Sequence, residues 1–180
     1  YKLIKFGNLH ANLTLTKDGV LEIKSNKFDF ADGISTLKVY CDLAKQNYSV
    51  RLGAKDVDTD AIATSVLNLG KEISGKASAL LEFYTDDKMK LNGKIQFAIK
   101  DGSITKLGLV QYVLNFASLF RNPVAMISPS TLLDLVDVPD GTFKSINGTL
   151  MIRNNIVERM MIKSSSPQLS SCLLYTSDAA

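Results

Sequence analysis

The chain has 180 residues, 46% apolar and 22% charged, with a formal net charge of +3. That balance is globular rather than disordered, and the net charge is too small and the lysines too scattered to argue for a nucleic-acid surface. No run reaches the roughly 20 uninterrupted apolar residues of a membrane-spanning helix. The opening Tyr1-Lys2-Leu3, with neither Met nor signal peptide, reads as the interior of a longer protein.

The dominant period is two. In "LHANLTLT", Leu9, Ala11, Leu13 and Leu15 share one face; His10, Asn12, Thr14 and Thr16 share the other. Lys17-Asp18-Gly19 turns the chain into "VLEIKS", which carries Ile23. Asp32-Gly33 closes the next strand, and "ISTLKVYCDLA" then aligns Leu37, Val39, Cys41 and Leu43. Lys45-Gln46-Asn47 separates it from "YSVRLGA", with Val50 and Leu52 in phase. Further on, Ile95, Phe97 and Ile99 oppose Lys94, Gln96 and Lys100, and two last strands pair across Asn154-Asn155. Asp-Gly and Asn-Gly at such joints are expected to supply the positive φ angles of tight hairpins. The predicted fold is mainly β: one antiparallel, strongly twisted open sheet with an apolar and a polar face and two short helices.

The first helix is predicted over Asp60 to Leu69, capped by Thr59 or Asp60 and stopped by Gly70. Its stripe is Ile62, Val66 and Leu69. The second runs from Leu107 to Phe120, about 21 Å and too short to cross a bilayer. Val110, Val113, Leu114, Ala117 and Phe120 form one stripe; Leu109, Tyr112, Phe116 and Leu119 form another beside it. Only Gln111, Asn115 and Ser118 offer a polar line. Such a helix needs cover on most sides, either as a plug at one end of the sheet or in contact with lipid or a partner. Pro123 and Pro129 divide the apolar run that follows.

Enzymatic chemistry has no foothold in these residues. His10, the sole histidine, falls on the polar side of a strand with no second His to share a transition metal. "GKEISGKA", Gly70 to Ala77, approaches a phosphate-binding loop. It puts Ala77 where a magnesium-binding hydroxyl belongs, and an alternating strand follows instead of a helix. Asp56, Asp58 and Asp60 lack the Gly and distal Glu of a calcium loop. Cys41 reads as a small buried hydrophobe. Asn-x-Ser/Thr triplets stand at Asn12, Asn47 and Asn147. Neither a catalytic residue, a cofactor nor a metal site is expected. The apolar face itself becomes the candidate site: Leu13, Leu15, Ile23, Val39, Val50, Leu52, Ile95, Phe97 and Ile99.

The order of elements from Gly75 to Ser170 carries a resemblance. "LNGKIQFAIKDGSITKLGLVQYVLNFASLF" gives a strand, Asp101-Gly102, "ITKLGL" and an apolar helix. "FKSINGTLMIRNNIVERMMIKSSSPQLS" adds a Phe143-x-x-Ile146-x-Gly148 return strand and a hairpin ending in a serine-rich strand. This arrangement resembles the C-terminal region of AsmA-like proteins. The resemblance implies a single β-rich region over 1–170, part of a larger protein anchored in the bacterial inner membrane by an N-terminal helix. It further implies a periplasmic β-groove that carries phospholipid acyl chains towards the outer membrane, with the second helix capping the groove. The alternative is a structural or binding β-sandwich module, secreted or on a cell surface, whose apolar face is a closed core. Residues 171–180, "SCLLYTSDAA", resemble translated adapter sequence and are set aside; without Asp178 the net charge becomes +3 + 1 = +4.

Overall fold

The computed structural model describes residues 5–66, 74–103, 142–165 and 170–176, and every structural statement below concerns those residues. Period-two alternation becomes ten strands: β1 (Phe6–Gly7), β2 (Asn12–Leu15), β3 (Val20–Phe30), β4 (Gly33–Asp42), β5 (Asn47–Asp58), β6 (Lys76–Thr85), β7 (Leu91–Ser103), β8 (Thr142–Arg153), β9 (Ile156–Ser165) and β10 (Ser170–Thr176). Among the described residues a single helix, α1 (Thr59–Val66), interrupts them. Every pairing is antiparallel, in the order β1-β3-β4-β5-β6-β7-β8-β9-β10, with β2 also on β3. The two ends of that path do not meet, so the sheet is open.

Connections sort by length onto the two ends of the sheet. One end holds only short turns, at 16–19, 43–46, 86–90 and 154–155. Asp42 Oδ1 accepts from Lys45 N at 2.9 Å in the second, and Asp86 Oδ1 accepts from Lys88 N and Lys90 N at 2.9 and 2.8 Å in the third. Such Asx contacts reproduce a backbone turn with a side-chain oxygen. Asn154 and Asn155 both take positive φ, 54° and 68°, as a type I′ hairpin requires. The other end carries the tight Ala31-Asp32 turn, the 59–75 connection with α1, and the 104–141 segment between the neighbours β7 and β8.

The strands keep one face apolar because three bulges correct the phase. Between Ser25 and Phe28, β3 advances three residues while β4 advances two, from Leu37 to Ser35. Ala54 and Val57 stand opposite Ala79 and Ala77 in the same way, and Asp56 takes φ 54° there. On β9, Val157 and Met160 face Ile152 and Leu150. In each case the sequence places its next inward residue at i+3, and the extra residue is absorbed without turning the strand over. The residues so re-phased, Phe28, Val57 and Val157, are buried, the last two to within 1% and 2% of full burial.

The helix starts one residue earlier than its sequence suggests. Asp58, rather than Thr59 or Asp60, is the cap, its Oδ1 accepting from Ala61 N at 3.1 Å. Thr59 instead donates its hydroxyl to the Gly75 carbonyl at 3.0 Å, closing the base of the connection. Ala61 packs with Ala31 and Val57, flanked by Phe30, Ala54, Ile62 and Ala77. Small side chains on both surfaces let the helix lie close on the sheet. The expected continuation to Leu69 and the helix over Leu107–Phe120 lie outside the described residues.

Other expectations shift. Leu9 and Ala11 precede β2 in irregular backbone, and Leu43 belongs to a turn rather than to β4; both leucines are exposed. Nothing on the neighbouring strand pairs with the first two, so no ladder extends to them. At Asp32-Gly33 the positive φ angles fall on Ala31 and Asp32. Gly33 is needed for a different reason: a Cβ there would stand 2.5 Å from the Lys55 carbonyl oxygen. Asp101-Gly102 and Asn147-Gly148 lie inside β7 and β8, not at turns. Of the segment set aside, Ser171–Thr176 belongs to β10, paired with β9 from Ser164 to Arg159. A sheet edge accepts any extended segment through its unpaired main-chain groups.

Gly148 sets a strict steric condition. A Cβ added there would lie 2.2 Å from Cε1 of the Phe97 ring. Gly148→Ala is therefore expected to cost about 1–3 kcal/mol, the usual penalty of overpacking. Urea midpoints of Gly148→Ala, Phe97→Leu and the double variant check this. The alanine should cost less once the ring is gone, and additive effects would contradict the contact.

Candidate functional site

Register alone assembles the site. Directly opposed residues share a face in an antiparallel ladder, so each row of partners is a line of side chains across the sheet. One row runs Leu13, Ile23, Val39, Val50, Phe83, Gly93, Ile152. The next runs Ser25, Leu37, Leu52, Leu81, Ile95, Leu150, Met160. A third is Ser35, Ala54, Ala79, Phe97, Gly148, Ile162, and a fourth Val57, Ala77, Ile99, Ile146. Leu15 joins the same face through Leu21 and Cys41. All nine predicted groove residues thus lie on one side of one sheet.

Exposure is graded along these rows. Ile95, Leu150, Ile152, Val157 and Met160 form a buried cluster, with Leu81, Phe83, Phe97 and Ile162 packed around it. Ile23, Val39, Leu52 and Ile99 are half-buried. Val50 is 36% exposed, and at the edge Leu13 and Leu15 reach 66% and 64%. The face is a core over β7–β9 and again at Phe28 and Val57 near α1, with an accessible apolar surface over the rest of β2–β5. Cys41, expected to be buried, is a half-buried free thiol on that surface. Two hydroxyls interrupt the apolar rows. Ser25 Oγ donates to the His10 carbonyl at 2.7 Å, while Ser35 Oγ is buried without a partner.

The opposite face is charged and cross-linked. Arg51 pairs with Glu82 directly across β5 and β6 at 3.1 Å, and Lys38 reaches Glu22 at 3.2 Å. His10 is exposed, its carbonyl committed to Ser25. Asn12 and Asn147 are exposed and Asn47 is half-buried. Among the described residues no group of three or more His, Cys, Asp or Glu is placed to hold a metal ion. No described helix is long and apolar enough to cross a membrane.

Sequence reading missed more than half the contributors to the apolar face. Ala77, Ala79, Leu81 and Phe83 on β6 do alternate, but Leu80 between them blurs the pattern. On β9 the i, i+3 spacing of Val157 and Met160 hides the strand's phase until the bulge is seen. The expected capping residues Val110, Val113, Leu114, Phe116, Ala117 and Phe120 lie outside the described residues. The segment bearing them leaves from Ser103 and returns at Thr142, which are direct partners at the same end of the sheet as α1. Comparison with protein-family models, curated proteins and solved structures finds no match for this chain.

The gradient has a measurable consequence. Ile95→Asp places an unpaired carboxylate in the buried cluster and is expected to cost several kcal/mol, enough to unfold the chain. Leu15→Asp, at an exposed edge position, should change stability by less than about 0.5 kcal/mol. Urea unfolding followed by circular dichroism distinguishes them; equal effects would refute the gradient.

Proposed function

We propose that this chain is a non-enzymatic lipid-binding module whose apolar face holds phospholipid acyl chains. The observation that carries the reading is the continuity of the apolar rows from the buried cluster out to exposed Val50, Leu13 and Leu15. Seven strands, from β2 to β8, take part in the first row, a width of about 29 Å at 4.8 Å per strand. Hydrocarbon laid on such a surface gains about 0.8 kcal/mol for each CH₂ removed from water and needs no specific contact. A contiguous exposed apolar surface of this kind is unusual unless something binds there. The AsmA-like resemblance supports a setting for this activity: the periplasm, tethered to the inner membrane, with transfer between inner and outer membranes.

A second reading is a structural or binding module with a closed core. It is favoured by the tight burial of Ile95, Leu150, Ile152, Val157 and Met160. The two readings diverge at Val39 and Val50, which a closed core would leave without a role. Delipidated protein should take up a fluorescent phospholipid from solution, and Val50→Asp should reduce loading several-fold while preserving the β circular dichroism signal. Absence of uptake by the parent protein, or uptake unchanged in Val50→Asp, would favour the closed core.

A further inference from the structure

We propose that the polar face carries a second and chemically different site, a hollow over β5 to β9 that takes a small anionic amphiphile. Its ligand class is a phosphate or carboxylate head on a short apolar body. The hollow measures about 650 Å³, with Lys55 on one side and Lys163 on the other. Four strand intervals separate these lysines, about 19 Å. Between them Leu80, Ala98 and Met161 supply an apolar floor and Asn147 an amide, and among the described residues no carboxylate lines the space. That volume falls in the range of small-molecule sites, roughly 300–1,000 Å³, and the hollow is open to solvent.

Charge identifies the head group. On this face Lys38 pairs with Glu22 and Arg51 with Glu82. Lys55, Lys100 and Lys163 form no ion pair among the described residues, although Asp56 and Asp101 are chain neighbours of the first two. Lys100 also stands directly opposite Lys76, a like-charge arrangement that disfavours the sheet. Asp58, opposite Lys76 on its other side, offsets that lysine and leaves Lys100 uncompensated. Lys100 lies one row beyond the hollow's lining, and an anion held between Lys55 and Lys163 would lower the positive charge beside that row. Lysine stems can lie along an apolar floor while their ammonium groups reach a head group. The floor selects an amphiphile over a bare inorganic ion.

Calorimetric titration of the full chain with hexyl phosphate, inorganic phosphate and hexanol tests the assignment. Hexyl phosphate should bind tightest, with inorganic phosphate weaker and hexanol weaker still. Lys55→Gln and Lys163→Gln should each weaken hexyl phosphate about threefold and together about tenfold, as expected for exposed charge pairs. Lys24→Gln, on the same face but outside the hollow, should leave this binding unchanged. Circular dichroism of the exposed lysine variants should match the parent. Equal affinity in the double lysine variant, inorganic phosphate as tight as hexyl phosphate, or hexanol as tight as hexyl phosphate would each overturn the proposal.

Discussion

Everything in this sheet depends on keeping one side of every strand in phase with the same side of its neighbours. A slip of one residue in any ladder would move that strand's apolar residues to the solvent face. Strict alternation alone does not preserve the phase here, because three strands carry inward residues three apart: Ser25/Phe28, Ala54/Val57 and Val157/Met160. A bulge at each site takes up the extra residue. The bulges are therefore part of how the apolar face is built, and the deep burial of Val57 and Val157 follows from them.

The asymmetry between the two ends of the sheet has a similar local origin. At one end, Asp42, Asp86 and the Asn154-Asn155 pair close turns with their own side chains or with left-handed backbone. Those turns are too short to cover anything. At the other end, Asp58 starts a helix directly from β5, and Ala61 brings it down onto Ala31 and Val57. The long connection from Ser103 to Thr142 departs from the same end. The longer connections thus leave from one end, while the edge carrying Leu13 and Leu15 keeps large apolar side chains in water.

Sheet class and facing were legible in the sequence because both follow from a period of two. Leu13, Ile23, Val39 and Val50 were separable from Thr14, Lys38 and Arg51 by parity, and the ladder then aligned them in one row. Boundaries were less legible where a dipeptide has two uses. Asp-Gly marks a tight turn in general, yet Asp101-Gly102 sits within β7, and Gly33 serves close approach to Lys55 rather than a positive φ. The cap at Asp58 was hidden because Asp58, Thr59 and Asp60 are all competent caps, and only the Asp58 contact to Ala61 decides among them. Bulge-shifted strands such as β9 and the polar-face hollow depend on which strands are neighbours, and no single segment encodes that.

A sheet is one backbone thick, which ties its two faces together. Ala54, Ala79, Phe97 and Gly148 belong by register to an apolar row, and they also line the hollow that opens on the polar face. Two of these four positions are alanine and one is glycine, so this row is thin on the apolar side apart from the Phe97 ring. Over β7–β9 the buried cluster of Ile95, Leu150, Ile152, Val157 and Met160 holds the strands in place. The exposed residues of β2–β5 contribute less to stability and are free to serve binding. That cluster lies in strands that a ligand over β2–β5 need not touch. An acyl chain laid across Val39 and Val50 and an anion held by Lys55 would meet at β5.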